Sequence, residues 1–180
     1  VDAQIDAAAR DIGVDAIKIG VLGSAETVLA VAERLAASDL AEAPVIFGPD
    51  LSSADEALLA AYATLLQRVR LVTPNVVELA ALGGEAAVLG LGASILAKGG
   101  DAEADRVIDR LIEPDAGEVL RWDNPRINSL STRGAGCTLA SGIAVSMAQG
   151  MPLEPAIARA RDFVRLAIHN APNFGQGEGP

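Results

Sequence analysis

The sequence has 180 residues, of which 51% are apolar but only 3% aromatic, and its formal net charge is −10. This length suffices for one domain with a sizeable core, and an acidic chain without a Lys or Arg cluster argues against nucleic acid as a partner. The single cysteine, Cys137, excludes an internal disulfide and fits a reducing compartment, so we expect a cytoplasmic protein. No run of about 18 apolar residues occurs, so we expect no membrane span.

Short β-branched runs alternate with segments of helical periodicity along the chain. The predicted strands are 15–22, 44–47, 70–73 and 93–98, followed by a hairpin of two weaker strands at 106–112 and 118–122. The predicted helices are 24–37 and 54–68, capped by Ser24 and Ser53, then 76–82, 137–149 and 153–170. This alternation predicts an α/β fold with a mainly parallel sheet and helices on both faces, in which ligands bind at the carboxyl ends of the strands.

Two places in the chain suggest missing residues. The connection between Leu82 and Ala93 is short for a parallel crossover, which usually takes about a dozen residues or more. Either Gly83–Gly92 forms a tight connection or residues are missing there. The chain also begins without Met, in what resembles a helix, and we expect an upstream portion to be absent from this sequence.

The strongest chemical motif is Gly134-Ala135-Gly136-Cys137 at the start of an apolar helix. Glycines let backbone N–H groups converge on an anion, and a helix N-terminus adds about half a positive charge. Together they can hold the charge that develops on a transferring phosphoryl group. Helix N-termini also favour the thiolate form of cysteine. The alternative is a tight loop packed on the sheet, with a buried, inert cysteine.

Two further motifs follow predicted strands. Asn75 and Glu78 lie one helical turn apart, where they can orient magnesium-bound water and phosphate oxygens; the alternative is a helix cap of the capping-box type. Lys98-Gly99-Gly100 suits a point charge that reaches a phosphate, although an ordinary exposed lysine before a turn fits it as well. No Walker-type phosphate loop occurs, and one histidine with one cysteine does not make a zinc site.

The three motifs occur in the order and approximate spacing of the ribokinase-like superfamily. Gly134–Cys137 resembles the Gly-Ala-Gly-Asp of that superfamily, with Cys in place of the catalytic Asp. A cysteine there resembles the hydroxymethylpyrimidine/phosphomethylpyrimidine kinases, as do Asp15–Gly20, Val72–Glu78 and Lys98-Gly99-Gly100. The resemblance covers residues 1–180, and it implies a single ribokinase-like domain that lacks its N-terminal segment.

The resemblance implies phosphoryl transfer from MgATP to 4-amino-5-hydroxymethyl-2-methylpyrimidine and then to its monophosphate, in thiamine biosynthesis. It therefore implies ATP and Mg²⁺ as cofactors and a small pyrimidine alcohol as substrate, and homodimers are common in this superfamily. Carried over by position, the resemblance implies that Cys137 is the base, that Lys98 contacts the phosphate, and that the amides of Gly134, Ala135 and Gly136 form the anion hole. Asn75, Glu78 and Thr132 would face the nucleotide and the Mg²⁺-bound phosphates, with Glu78 as metal ligand. Val21 would lie beside the substrate.

The sequence departs from the family pattern at several of these places. Val21 stands where relatives usually have Met, Gly48-Pro49-Asp50 replaces an Asp-Pro-Val stretch, and Asp101 follows Lys-Gly-Gly in place of His. The His-rich, Gly-rich tail of relatives is here Gln176–Gly179. Two alternatives therefore stand beside the pyrimidine kinase: a related pyridoxal-type kinase, and a catalytically inactive ligand-binding or regulatory homologue.

Overall fold

The computed structural model describes residues 1–37, 40–99 and 105–172. In chain order the elements are α1 (Asp2–Asp11), β1 (Ile17–Ile19), α2 (Ala25–Leu35), β2 (Val45–Phe47), α3 (Glu56–Leu66), β3 (Leu71–Val72), α4 (Val76–Ala81), α5 (Glu85–Gly90), β4 (Ser94–Ala97), β5 (Arg106–Glu113), β6 (Gly117–Pro125), α6 (Ala135–Ala148) and α7 (Leu153–His169). Among the described residues, no helix is both long and apolar enough to cross a bilayer.

The strands form one six-stranded sheet whose spatial order, β1 to β6, is also the chain order. β1 to β4 pair in parallel, whereas β4 with β5 and β5 with β6 pair antiparallel. The predicted mainly parallel sheet and the predicted hairpin are thus both confirmed. Because β1 to β4 run in one direction, their carboxyl ends share one edge of the sheet.

The connection between β3 and β4 is made by two short helices, α4 and α5. α4 ends at Ala81, and Gly83 and Gly84, both with positive φ, turn the chain into α5. β3 and β4 then pair in parallel, with Leu71 opposite Ser94. A compact crossover is therefore possible without additional residues, because two six-residue helices take the place of one longer helix.

Helices cover both faces of the sheet, as predicted. Side chains alternate between the faces of a strand, and one apolar cluster joins Ile19, Phe47, Val72 and Ile95 to α1–α5. The other cluster joins Ile46, Leu71, Leu96 and Leu111 to α6 and α7. The core is aliphatic, apart from the stacked rings of Phe47 and Tyr62.

Three predicted helix starts are tested by the structure. Ser24 does cap α2, since its side chain accepts a hydrogen bond from Thr27 N. The predicted cap Ser53 is wrong, because Asp55 caps α3 by accepting from Leu58 N at 2.8 Å. α6 begins at Ala135, two residues before the predicted start, because Gly134 adopts a left-handed conformation (φ 81°) that turns the chain into the helix.

Candidate active site

The carboxyl edge of the parallel strands and the start of α6 bring the predicted motifs together. Lys98 directly follows β4, and its backbone N–H donates to the carbonyl of Pro74 at 2.9 Å, which ties the loop after β4 to the loop after β3. Asn75 and Glu78 therefore lie beside Lys98. Lys98, Asn75 and Gly99 line a common cavity of about 200 Å³.

Asn75 and Glu78 form a complete capping box at the start of α4. The Asn75 side chain accepts from Glu78 N at 2.8 Å, and the Glu78 carboxylate accepts from Asn75 N at 2.7 Å. This is the capping arrangement that the sequence left open as an alternative. It fixes the Glu78 carboxylate at the edge of the sheet, where the same oxygen lies 3.8 Å from Lys98 Nζ.

The Lys98 ammonium also lies beside the glycine motif of α6. A β-carbon added to Gly136 would come within 3.3 Å of Lys98 Nζ. Lys98 therefore sits between an acidic side chain on α4 and the N-terminus of α6. The three motifs, separated by many residues in the sequence, converge on this one ammonium group.

Gly134 to Cys137 make the N-terminus of a fourteen-residue helix. Ala135 N–H donates to Thr132 O at 3.2 Å, and Thr138 N–H donates to Gly134 O at 2.9 Å. The N–H groups of Gly136 and Cys137 have no helical acceptor, because helical bonds run four residues back and the helix has only begun. These two amides point a partial positive charge toward the Lys98 side of the site.

Cys137 is exposed in the first turn of α6. The alternative of a buried cysteine is therefore wrong. Ala140, one turn further along the same side of the helix, packs against the carboxyl end of β2, where a β-carbon on Gly48 would meet it at 3.2 Å. The first turns of α6, with the exposed Cys137, thus lie close to the carboxyl end of β2.

Asp50 ends the Gly48-Pro49-Asp50 stretch, which departs from the family pattern, and the charge of Lys98 reaches it. Ser52 donates to the Asp50 carboxylate from its hydroxyl at 2.8 Å and from its N–H at 3.2 Å. These hydrogen bonds lower the pKa of Asp50, and the positive charge of Lys98 lowers it further. An acidic group thus lies two residues after Gly48, the position at which the family pattern has Asp.

A buried polar network missed by sequence reasoning holds the segment after Lys98. Asp109 on β5 accepts from Gly99 N at 3.0 Å and from Arg161 Nε on α7 at 2.8 Å. Arg161 also lies over the Trp122 ring, 4.9 Å from its centroid. Gly99 also packs directly against the backbone of β5, since a β-carbon added to it would lie 2.0 Å from the Ile108 carbonyl oxygen. Only glycine fits at this position.

The remaining predicted residues lie around this centre. Thr132 is exposed and lines a second cavity, of about 160 Å³, together with Asp109, Arg126 and Arg161. Val21 is exposed beyond the end of β1 and lines neither of these cavities. The third residue of the Lys-Gly-Gly motif, Asp101 and the tail from 173 onward lie outside the described residues.

Mg²⁺ is the metal ion that the resemblance to the kinases implies, and it binds oxygen ligands such as carboxylates. The described residues contain no group of three or more His, Cys, Asp or Glu side chains that could hold a metal by themselves. Mg²⁺ bound with a nucleotide needs less, because it usually takes one or two carboxylates and completes its shell with phosphates and water. The carboxylates near Lys98 are Glu78, at 3.8 Å from its ammonium nitrogen, and Asp50, whose pKa the lysine charge helps to lower.

Comparison with known proteins agrees with this geometry. Residues 1–180 match the family model described as phosphomethylpyrimidine kinase. The chain belongs to the phosphomethylpyrimidine kinase family. A hydroxymethylpyrimidine/phosphomethylpyrimidine kinase of Streptomyces coelicolor is 38% identical, and the match covers 100% of this chain and 72% of that protein. The thiamine biosynthesis bifunctional protein of Geobacter sulfurreducens is 39% identical, and the match covers 98% of this chain but only 39% of that protein.

Solved structures confirm the ribokinase-like fold of this kinase family member. The pyridoxal kinase from Staphylococcus aureus in complex with AMP-PCP and pyridoxal has a TM-score of 0.86 at 25% identity, covering 99% of this chain and 70% of that one. A phosphomethylpyrimidine kinase from Clostridium difficile has a TM-score of 0.72 at 23% identity, covering 92% and 73%. The second similarity shows the fold alone.

Proposed function

We propose that the protein phosphorylates 4-amino-5-hydroxymethyl-2-methylpyrimidine with ATP, and then its monophosphate, in thiamine biosynthesis. The observation that carries the proposal is the position of the Lys98 ammonium between the Glu78 carboxylate, at 3.8 Å, and Gly136 at the start of α6. A cation and a helix N-terminus on one anion are the two elements that stabilise a transferring phosphoryl group.

The first transfer requires a base and an anion site. The hydroxymethyl oxygen attacks the γ-phosphorus of ATP, the new O–P bond forms, and the bond from the γ-phosphorus to ADP breaks. The hydroxyl proton passes to the Cys137 thiolate, which is exposed at the mouth of the site. Lys98 and the free amides of the first helical turn hold the charge on the transferring group.

The nucleotide is held, in this proposal, by groups on both sides of Lys98. Asn75 and Glu78 face the phosphates, and Mg²⁺ held by Glu78 and Asp50 would neutralise part of their charge. The cavity beside Thr132 has an apolar lining, to which Val107 and Val164 contribute, and three arginines at its border. Apolar walls with a few cations suit a base and a ribose phosphate.

An assay of ATP consumption by the full-length protein tests the proposal. The acceptors are the pyrimidine alcohol, its monophosphate, pyridoxal and a sugar alcohol. Turnover on both pyrimidines is the expected result. Turnover on pyridoxal alone would instead support the pyridoxal-type kinase. The structural similarity to the Staphylococcus aureus enzyme is compatible with that alternative. Turnover on none of them, with retained ligand binding, would support the inactive homologue.

A further inference from the structure

The chain contains two lysines, Lys18 and Lys98, beside twelve arginines. Lys98 follows the last residue of β4 and Lys18 is the middle residue of β1. Both place the ammonium group against a glycine, Gly136 and Gly20 respectively. Lys98 is accounted for by Glu78 and the phosphoryl site. Lys18 has no part in the catalytic steps described so far.

The Lys18 side chain folds along its own strand toward the candidate site. Its Nζ lies 2.8 Å from the position of a β-carbon on Gly20, just beyond the end of β1. In the sheet, Lys18 pairs with Ile46, whose side chain belongs to the α6 and α7 face. Because paired residues in a register point to the same face, Lys18 lies on the face that α6 covers.

Backbone and packing contacts place the end of β1 close to the helix that carries Cys137. Gly48 N–H donates to Ile19 O at 2.9 Å, which places Gly48 beside the Gly20 end of β1. Gly48 in turn abuts Ala140, one helical turn from Cys137. Lys18 therefore lies on the β1 side of α6, three strands away from Lys98 in the sheet.

Lys18 is also electrostatically uncompensated. It is half-buried, yet among residues 1–37, 40–99 and 105–172 no hydrogen bond or ion pair involves its ammonium group. An ammonium group without a described partner leaves its three donors available to an anionic ligand.

We infer that Lys18 binds the phosphate of the acceptor and thereby makes the monophosphate a substrate for the second transfer. This inference rests on the proposed function, because only a kinase that acts twice must hold a neutral alcohol first and a phosphate monoester afterwards. The monoester carries close to two negative charges at neutral pH, whereas the alcohol carries none. Lys18 is then a residue that determines specificity between the two steps.

The first experiment compares Lys18→Met with wild type on both acceptors in the full-length protein. Loss of one charge-assisted hydrogen bond predicts that KM for the monophosphate rises about ten- to a hundredfold. KM for the alcohol and for ATP should not change. Arg121→Met, which removes an exposed cation of β6, is the matched control and should leave both acceptors unaffected.

Gly20→Ala provides a second variant that keeps the charge. Its β-carbon would meet only the Lys18 side chain, at 2.8 Å from Nζ, and a flexible side chain can move away, so folding should be preserved. The displaced ammonium should weaken the monophosphate selectively. Lys18→Arg, which keeps the charge at a similar reach, should restore part of the affinity.

Equilibrium binding separates failure of this inference from failure of the proposed function. Titration of the pyrimidine monophosphate without ATP should give the same ten- to hundredfold loss in Lys18→Met, about that of one charged contact, even if no turnover is found. Amine labelling with mass spectrometry should show that the monophosphate, but not the alcohol, protects Lys18. Equal effects on both acceptors, or no effect on either, would overturn the inference, and the lysine would then serve only to deter pairing at the outer strand of the described sheet.

Discussion

The ammonium nitrogen of Lys98 lies 3.3 Å from the position that a β-carbon would take at Gly136. This distance is slightly less than ordinary van der Waals contact, so the glycine leaves room for the lysine and nothing larger. The two residues belong to different elements, the end of β4 and the first turn of α6. This contact brings the two motifs together at one candidate anion site.

Gly136→Ala should therefore impair phosphate binding without unfolding the protein. The new methyl group displaces the end of a flexible lysine, and alanine is favourable in a helix. We expect KM for ATP to rise by about tenfold, the effect of weakening one charged contact, with an unchanged thermal midpoint. Lys98→Ala should produce the same change in ATP affinity.

Gly99→Ala is the contrasting variant for this prediction. Its β-carbon would lie 2.0 Å from the carbonyl oxygen of Ile108, which is backbone and cannot move aside. We expect destabilisation of about 1–3 kcal/mol or more, as for overpacked sites, measured by urea denaturation. If Gly136→Ala were destabilised to the same extent, the glycine would be needed for folding and not for the phosphate.

Cys137→Ala should separate the two phosphoryl transfers. An alcohol must lose a proton during the transfer, so loss of the base should lower turnover on the pyrimidine alcohol by about 10²–10⁴-fold. The monophosphate is already ionised near neutral pH, because the second pKa of a phosphate monoester is about 6. Turnover on it should fall much less, and ATP affinity should be unchanged in both assays.

Cys137→Asp is the matched control, since it supplies another base in the first turn of α6. Part of the activity on the alcohol should return. Normal turnover by Cys137→Ala on the alcohol would show that the thiolate takes no part in the chemistry.

Asn75 should have two separable effects, on the stability of α4 and on nucleotide binding. Asn75→Ala removes the side chain that accepts from Glu78 N, which should cost about 1 kcal/mol of unfolding free energy. Asn75→Asp keeps that cap but adds a negative charge beside the phosphates, so it should remain stable and bind ATP less tightly. If Asn75→Asp bound ATP with wild-type affinity, Asn75 would cap α4 but would have no role in nucleotide binding.

Asp50 should make stability depend on pH in the acid range. Its pKa is lowered in the folded protein, first by Ser52 and also by Lys98, so folding favours the carboxylate. This contribution is present above the ordinary value of 3.8 and is lost as pH falls through the lowered folded value. Asp50→Asn should thus be less stable than wild type at neutral pH, and the difference should disappear in strong acid. Urea denaturation of both proteins across pH measures this difference, and equal stability at neutral pH would contradict the prediction.

The sequence predicts elements well where local signals agree. Ser24 starts α2, and the capping pair of Asn75 and Glu78 starts α4, because side chains close to a helix end determine it. α5 was not predicted, because it begins after Gly84, which has no side chain that could signal a cap. Ser53 and Asp55 compete as caps two residues apart, and only packing of α3 selects between them.

Prediction of the site extends only as far as motifs do. Lys98, Asn75 and Gly136 could be grouped from their positions after strands and before a helix. Asp109 could not, because its partners Gly99 and Arg161 are brought to it by the hairpin and by α7. The same holds for Lys18, whose importance depends on the direction of its side chain and on the absence of a described counter-ion.

The order of the strands has a consequence for the nascent chain. Each strand of the described sheet pairs with its neighbour in the sequence, so the sheet can grow as the polypeptide leaves the ribosome, without waiting for distant segments. One face is covered early by α2 to α5. The face formed by Ile46, Leu71, Leu96 and Leu111 stays bare until α6 and α7 are made. If translation stalls before residue 135, the nascent chain therefore exposes an apolar sheet surface, which chaperones must cover until synthesis resumes.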